Sequence, residues 1–278
     1  METLQRMPIH NFAIESFGVK VAFTSNRKHL LARVRGLIER SLLGQCSLIA
    51  ADEAEYHFYL DKTRDGYTAG FDDEDFGESF NLKILLNYFE SRVTLIIAEY
   101  ATDFVFVHSG VVGWKGKAIV IPGRSHDGKT TLVAELVKQG AVYYSDEYAL
   151  FDKNGHVHPF ARPLAMRDRE QPELRKNITA QSLGGNVGTV PLPLGMLVLT
   201  KFKSNANWRP RKLSPGVGVM EMLMHTFPTR VNTQFTLKVL KKAVGSAIII
   251  ESVRGDAKIA ATNIINFVDK TSKEAKLL

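Results

Sequence analysis

Residues Gly123-Arg124-Ser125-His126-Asp127-Gly128-Lys129-Thr130 satisfy the spacing G-x-x-x-x-G-K-[ST]. That spacing suits phosphate. Glycines at both ends let a loop turn its amide N–H groups inward as an anion nest. A helix that starts just after the loop points its positive end at the same spot. Lys129 brings a point charge for the outer phosphates, and Thr130 brings a hydroxyl for Mg²⁺, with Thr131 next in line. Two positions are unusual. His126 is bulky and Asp127 acidic where small residues suit a nest, and Asp127 would repel phosphate unless it points outward. The bland alternative is a strand–turn–helix with an exposed lysine; the flanking residues, an apolar run before and an amphipathic helix after, favour the phosphate loop.

The next acids are Asp146 and Glu147, at the end of the strand-like YYSDE. A carboxylate at the end of a strand neighbouring such a loop can hold Mg²⁺, and a second can act as base towards an attacking hydroxyl. Consecutive strand residues point opposite ways, so both can serve only at a strand end or bulge. His108 closes FVFVH and is a third candidate, although a lone histidine is more often structural. Arg162 and Arg167 follow the next hairpin and have the fork geometry for a phosphate or peptide carboxylate. His156 and His158 share one strand face, with no third ligand in reach for zinc. Met220, Met222 and Met224 read as core packing, and Cys46, at the end of the first helix, as a small hydrophobe.

The elements that position these residues follow from periodicity. Ala118–Ile121 is a continuous apolar run, as for a strand buried on both faces. The spacing of Leu132, Val133, Leu136 and Val137 predicts a helix, ended by Gly140. Phe104–Val107, Val111-Val112, Ala141–Ser145, Met196–Thr200 and Ala247–Ile250 read as strands, and Ala149–Asp152 with Val157–Phe160 as a hairpin around Lys153-Asn154-Gly155. Ser214-Pro215 starts a helix and Asn232–Lys242 is another. Earlier in the chain, Val19–Phe23 reads as a strand and Ser25 as the cap of a helix bearing Leu30, Val34, Leu37, Ile38 and Leu42. Tyr56–Leu60 and Tyr67–Phe71 flank a turn at Asp65-Gly66. Asp72–Asp75 reads as a solvated loop, and Asn81–Tyr100 as one or two helices. The expected division is a small α+β region over residues 1–90 and a nucleotide-binding domain over 91–278.

The chain has 278 residues, 45% hydrophobic and 23% charged, which is globular composition and excludes fibrous or long disordered classes. One cysteine excludes an internal disulfide framework. There is no apolar run of bilayer length and no leader-like N-terminus, so a cytoplasmic protein without membrane contact is expected. The charge is uneven: residues 1–107 carry 11 Lys/Arg against 16 Asp/Glu, and 108–278 carry 25 against 13. The basic residues are scattered without interleaved aromatics, so nucleic acid is not the expected partner; a nucleotide and an acidic or peptide substrate explain the excess as well.

VHSGVV followed by KAIVIPGRSHDGKTTLVAELVKQGAVYYSDEYALFD resembles the catalytic core of HPr kinase/phosphorylase and its shorter relatives. PFARPLAMR, PLPLGMLVLTKF and RKLSPGVGVMEMLMHTF resemble further segments, so the likeness spans roughly residues 104–250. It implies an α/β fold: a P-loop kinase core on a central mixed sheet, like the nucleotide domain of phosphoenolpyruvate carboxykinase. It also implies transfer of the γ-phosphoryl of ATP, with Mg²⁺, to a hydroxyl (serine first) of a peptide, protein or small molecule. By resemblance Asp146 or its neighbour is the base, and His108 lies beside the acids and phosphates. The family's second acid is usually Asp; here it is Glu147. A homo-oligomer is compatible with the resemblance. The alternative reading is a nucleotide-binding switch or accessory module without phosphotransfer.

Overall fold

The computed structural model describes residues 10–124, 127–167, 175–227 and 231–274. The chain forms two compact units, divided between Asp103 and Phe104.

The first unit is a six-stranded sheet with two helices. Its strands are β1 (His10–Ser16), β2 (Val19–Ser25), β3 (Ser47–Ile49), β4 (Tyr56–Lys62), β5 (Tyr67–Phe71) and β6 (Glu74–Ser79), in the order β3-β1-β2-β4-β5-β6. Only β2 and β4 pair in parallel, joined by a crossover through helix α1 (Lys28–Ser41). Phe23, Phe58 and Phe89 form its fully buried aromatic centre. Helix α2 (Leu82–Tyr100) is one uninterrupted helix, capped by the Asn81 side chain, and its residues from Leu85 to Ala98 are buried on one side. That continuity carries the first unit past the boundary expected at residue 90. Two further expectations fail here. Ser25 is a buried strand end whose hydroxyl donates to the Leu60 carbonyl; α1 starts at Lys28 without a side-chain cap. The acidic run is a tight turn leading into β6, not a loop before a helix: β6 is an edge strand, and carboxylates on an exposed edge discourage pairing with another chain.

The second unit is a mixed eight-stranded sheet covered on both faces. It contains β7 (Phe104–Trp114), β8 (Lys117–Pro122), β9 (Val142–Ser145), β10 (Tyr148–Asp152), β11 (His156–His158), β14 (Leu192–Phe202), β15 (Arg211–Leu213) and β16 (Ile248–Arg254). A separate ribbon pairs β12 (Leu164–Arg167) with β13 (Arg175–Ile178). The path runs β11-β10-β7-β8-β14-β16-β15, with β9 beside β7. β8, β14 and β16 are parallel neighbours. Helices α3 (Lys129–Lys138) and α6 (Ala257–Glu274) cover one face, α4 (Pro215–Leu223) and α5 (Thr233–Val244) the other. Strand β8 shows why its sequence is apolar from Ala118 to Ile121: Ala118 and Val120 face the α4/α5 side, Ile119 and Ile121 the α3/α6 side. No helix among the described residues is long and apolar enough to cross a membrane.

The methionine stripe divides: Met222 is fully buried, while Met220 and Met224 are 63% and 65% exposed. Helix α6 was not anticipated, although Ala260, Ala261, Ile264 and Ile265 bury one helical face.

Gly155 turns β10 into β11 with φ +80°, and a Cβ there would lie 2.8 Å from the Ala243 backbone nitrogen in α5. Gly155→Ala should therefore cost about 2 kcal/mol or more, combining left-handed strain with overpacking against backbone. A thermal midpoint equal to wild type would contradict this packing.

Candidate functional site

Strand register brings the candidate residues together. Ser109 of β7 pairs with Pro122, the last residue of β8, and His108 pairs with Tyr148, the first residue of β10. The His108 carbonyl accepts from the Gly123 N–H at 3.3 Å, and the Ser109 N–H donates to the Glu147 carbonyl at 3.1 Å. One short stretch of β7 therefore pins the start of the loop and the acid pair. The acids occupy the break between β9 and β10, which meets the condition that consecutive residues leave the pleat. Ser145 makes that break: its hydroxyl accepts from the N–H groups of Glu147 (3.2 Å) and Tyr148 (3.0 Å).

Gly128 sits at the start of α3 with φ +73°. The Lys129 side chain is 7% exposed and folds back into the loop, where its ammonium donates to the carbonyls of Gly123 (2.8 Å) and Arg124 (2.7 Å). Burial lowers its pKa, while Asp127, Asp146 and Glu147 hold the charge in place. Asp127 does not point outward. Its carboxylate accepts from the Arg124 N–H at 2.5 Å and lies against Gly123. Ser125 and His126 lie outside the described residues. Thr131 is exposed on the first turn of α3.

Asp146 accepts hydrogen bonds from the Thr130 hydroxyl and from Tyr143 Oη, the latter at 3.1 Å. Tyr143 Oη also lies 2.6 Å from the Arg162 carbonyl, so one phenolic proton serves two acceptors. Burial raises the Asp146 pKa above the usual carboxylate value, and the hydrogen bonds only partly offset this. Glu147 takes another direction, with its Oε2 3.1 Å from Arg162 Nη1. Arg162 thus faces an acid of this site. Arg167 ends β12, and its side chain lies outside the described part. His156 and His158 both approach Asp152, His158 at 3.0 Å, and no group of three or more His, Cys, Asp or Glu among the described residues gathers to hold a metal. Thr130 and Asp146 do suit Mg²⁺: a hydroxyl and a carboxylate already in contact are hard oxygen donors of the kind that ion takes, leaving the rest of its shell to water and phosphate.

His108 borders a cavity of about 230 Å³ with Arg124, Met224, His225, Thr226 and Phe227. Beyond the end of β8, the segment His225–Phe227 takes over beside β7: the His108 N–H donates to the His225 carbonyl at 2.7 Å, and Phe227 N–H to the Phe106 carbonyl at 3.1 Å. The cavity opens where loop and segment diverge from that shared strand. Burial, Lys129 and His225 depress the His108 pKa to about 4, so its imidazole is neutral near pH 7. Tyr143, Ser145, His225 and Phe227 were missed as site residues. YYS reads as strand and HTF as a helix end, so only the β7 pairing shows their place.

Among solved structures, the HPr(Ser) kinase/phosphatase from Coxiella burnetii is similar at 9% identity, with 62% of this chain and 94% of that chain covered and a TM-score of 0.32. No protein-family model matches the chain. No curated protein matches it in sequence.

The His108 depression has a definite sign. Between about pH 6.5 and 4 the unfolded chain takes up a proton that the folded chain refuses, so stability falls as pH drops through that window. His225, also lowered, adds to the slope. His108→Gln cannot titrate, so its thermal midpoint should fall less than wild type between about pH 7 and about pH 4.5. Parallel curves would show that this ring is not held neutral by burial.

Proposed function

We propose that the chain is an ATP- and Mg²⁺-dependent kinase that transfers the γ-phosphoryl group to a hydroxyl, serine first, of a peptide, protein or small molecule. The observation that carries the reading is the convergence of the buried Lys129 ammonium, the start of α3 and the Thr130–Asp146 contact on one side of the loop. The loop amides and Lys129 bind the phosphate tail, with Gly123, Arg124, Ser125, His126, Asp127, Gly128, Thr130 and Thr131 as the stretch that contacts nucleotide. Thr130 and Asp146, with Glu147 beside them, hold Mg²⁺, which when bound neutralises charge on the phosphates.

Asp146 is the base. It takes the proton of the acceptor hydroxyl as the new O–P bond forms and ADP leaves. Its raised pKa suits that task, because a carboxylate whose pKa is lifted by burial is a stronger proton acceptor than an ordinary one. His108 acts as a neutral hydrogen-bonding group, not a cation. Arg162 steers Glu147 and is less a substrate arm than a brace; Arg167 stays a proposal for acceptor binding. Positioning and electrostatics supply the rate.

One observation favours the second reading, a nucleotide-dependent switch without transfer: Asp127 sits against a loop amide that a phosphate would want. Incubation with γ-labelled ATP, Mg²⁺ and a lysate, followed by mass spectrometry, separates the two. A labelled hydroxyl species is expected; nucleotide-dependent association without any labelled product would leave the switch.

Lys129→Ala should lower transfer at least about a hundredfold and lower the thermal midpoint while the fold survives, because the carbonyls of Gly123 and Arg124 lose their donor. Asp146→Asn should keep nucleotide binding within a few-fold and lose transfer. Normal transfer by Asp146→Asn would place the base elsewhere.

A further inference from the structure

Behind the loop lies a cation that the reading above does not use. Arg254 ends β16 and is 3% exposed. Its Nη2 donates to the carbonyls of Asp127 (2.8 Å) and Gly128 (2.9 Å). Its Nε is buried and has no hydrogen-bond partner among the described residues. The fit is tight enough that a Cβ on Gly128 would lie 2.6 Å from the guanidinium.

Two physical points follow. In a trans peptide the C=O and the next N–H point opposite ways. A guanidinium that holds the Asp127 and Gly128 carbonyls, the latter shared with the Leu132 N–H of α3 at 3.1 Å, therefore leaves the N–H groups of Gly128 and Lys129 facing away from itself. Second, a buried guanidinium is costly unless compensated, and two neutral carbonyls compensate only part of a full charge. Asp127 and Asp256 are near enough to favour the charged form, yet burial still lowers the pKa. The remaining positive potential falls on the loop.

We propose that Arg254 is a positioning residue of the phosphate cradle: it sets the direction of the Gly128 and Lys129 amides from behind and lends its charge to a polyphosphate held in front. The inference rests on the nucleotide reading above and adds a residue 125 positions from Lys129 to it. The cation that aims the loop comes from the end of β16, and the cation that enters it from the start of α3.

Inorganic pyrophosphate is the probe, because it presents the phosphates without a base or sugar. Calorimetric titration should show at least tenfold weaker binding to Arg254→Met than to wild type, while the thermal midpoint without pyrophosphate is unchanged or raised. Arg254→Lys keeps the charge and one donor direction and should recover most of the affinity, a rescue that a purely space-filling role would not give. Should Arg254→Met fail to fold, Arg254→Gln keeps a donor for the carbonyls, loses the charge, and should still bind at least several-fold more weakly. Wild-type protein that binds no pyrophosphate overturns the nucleotide reading and this inference together. Wild-type binding that the Met or Gln variant matches within twofold overturns this inference alone.

Discussion

The site depends on one constrained charge, the Lys129 ammonium. An ammonium taken almost wholly out of water must be met by oxygen, and here the carbonyls of Gly123 and Arg124 meet it directly while three carboxylates act from further off. That requirement shapes the surroundings. The loop must bend to present two carbonyls inward, which needs the left-handed turn at Gly128. The acids must leave the pleat together, which Ser145 arranges. The imidazole of His108, placed beside a cation in a dry corner, stays neutral.

Strand β7 is the ruler for this arrangement. Its later half pairs with β8 and β9, its earlier half with β10, and the two sets change over opposite His108 to Gly110. At such a changeover neighbouring strands diverge and a crevice opens. The cavity beside His108 lies there. Two-sided burial of β8 keeps the ruler rigid, because no one-residue slip can be tolerated when both faces are packed.

How much of this was legible in the sequence depended on whether the signal was local. The loop spacing, the apolar run before it and the helical face of Leu132 to Val137 are local, and the fold places them as a strand, a loop and a helix in succession. Ser25 misled because a serine near a helix start looks the same whether it caps that helix or ends the preceding strand; its burial against Leu60 is tertiary. The acidic turn and β6 misled because charge marks an edge strand as readily as a loop. Met220 and Met224 share the spacing of Met222 but face outward. Tyr143, His225 and Arg254 belong to the site through contacts with residues distant in sequence, and no spacing rule reaches them. Helix α6 does carry a local signal, the helical spacing of Ala260, Ala261, Ile264 and Ile265.

Asp127 carries a consequence of its own. Its carboxylate already occupies the Arg124 amide, so the loop is partly filled by an oxygen anion it carries itself. On the nucleotide reading proposed above, an incoming phosphate meets a tethered rival at high effective concentration, and part of its binding energy goes into evicting that rival. On that reading, a cradle built this way trades tightness for quick exchange.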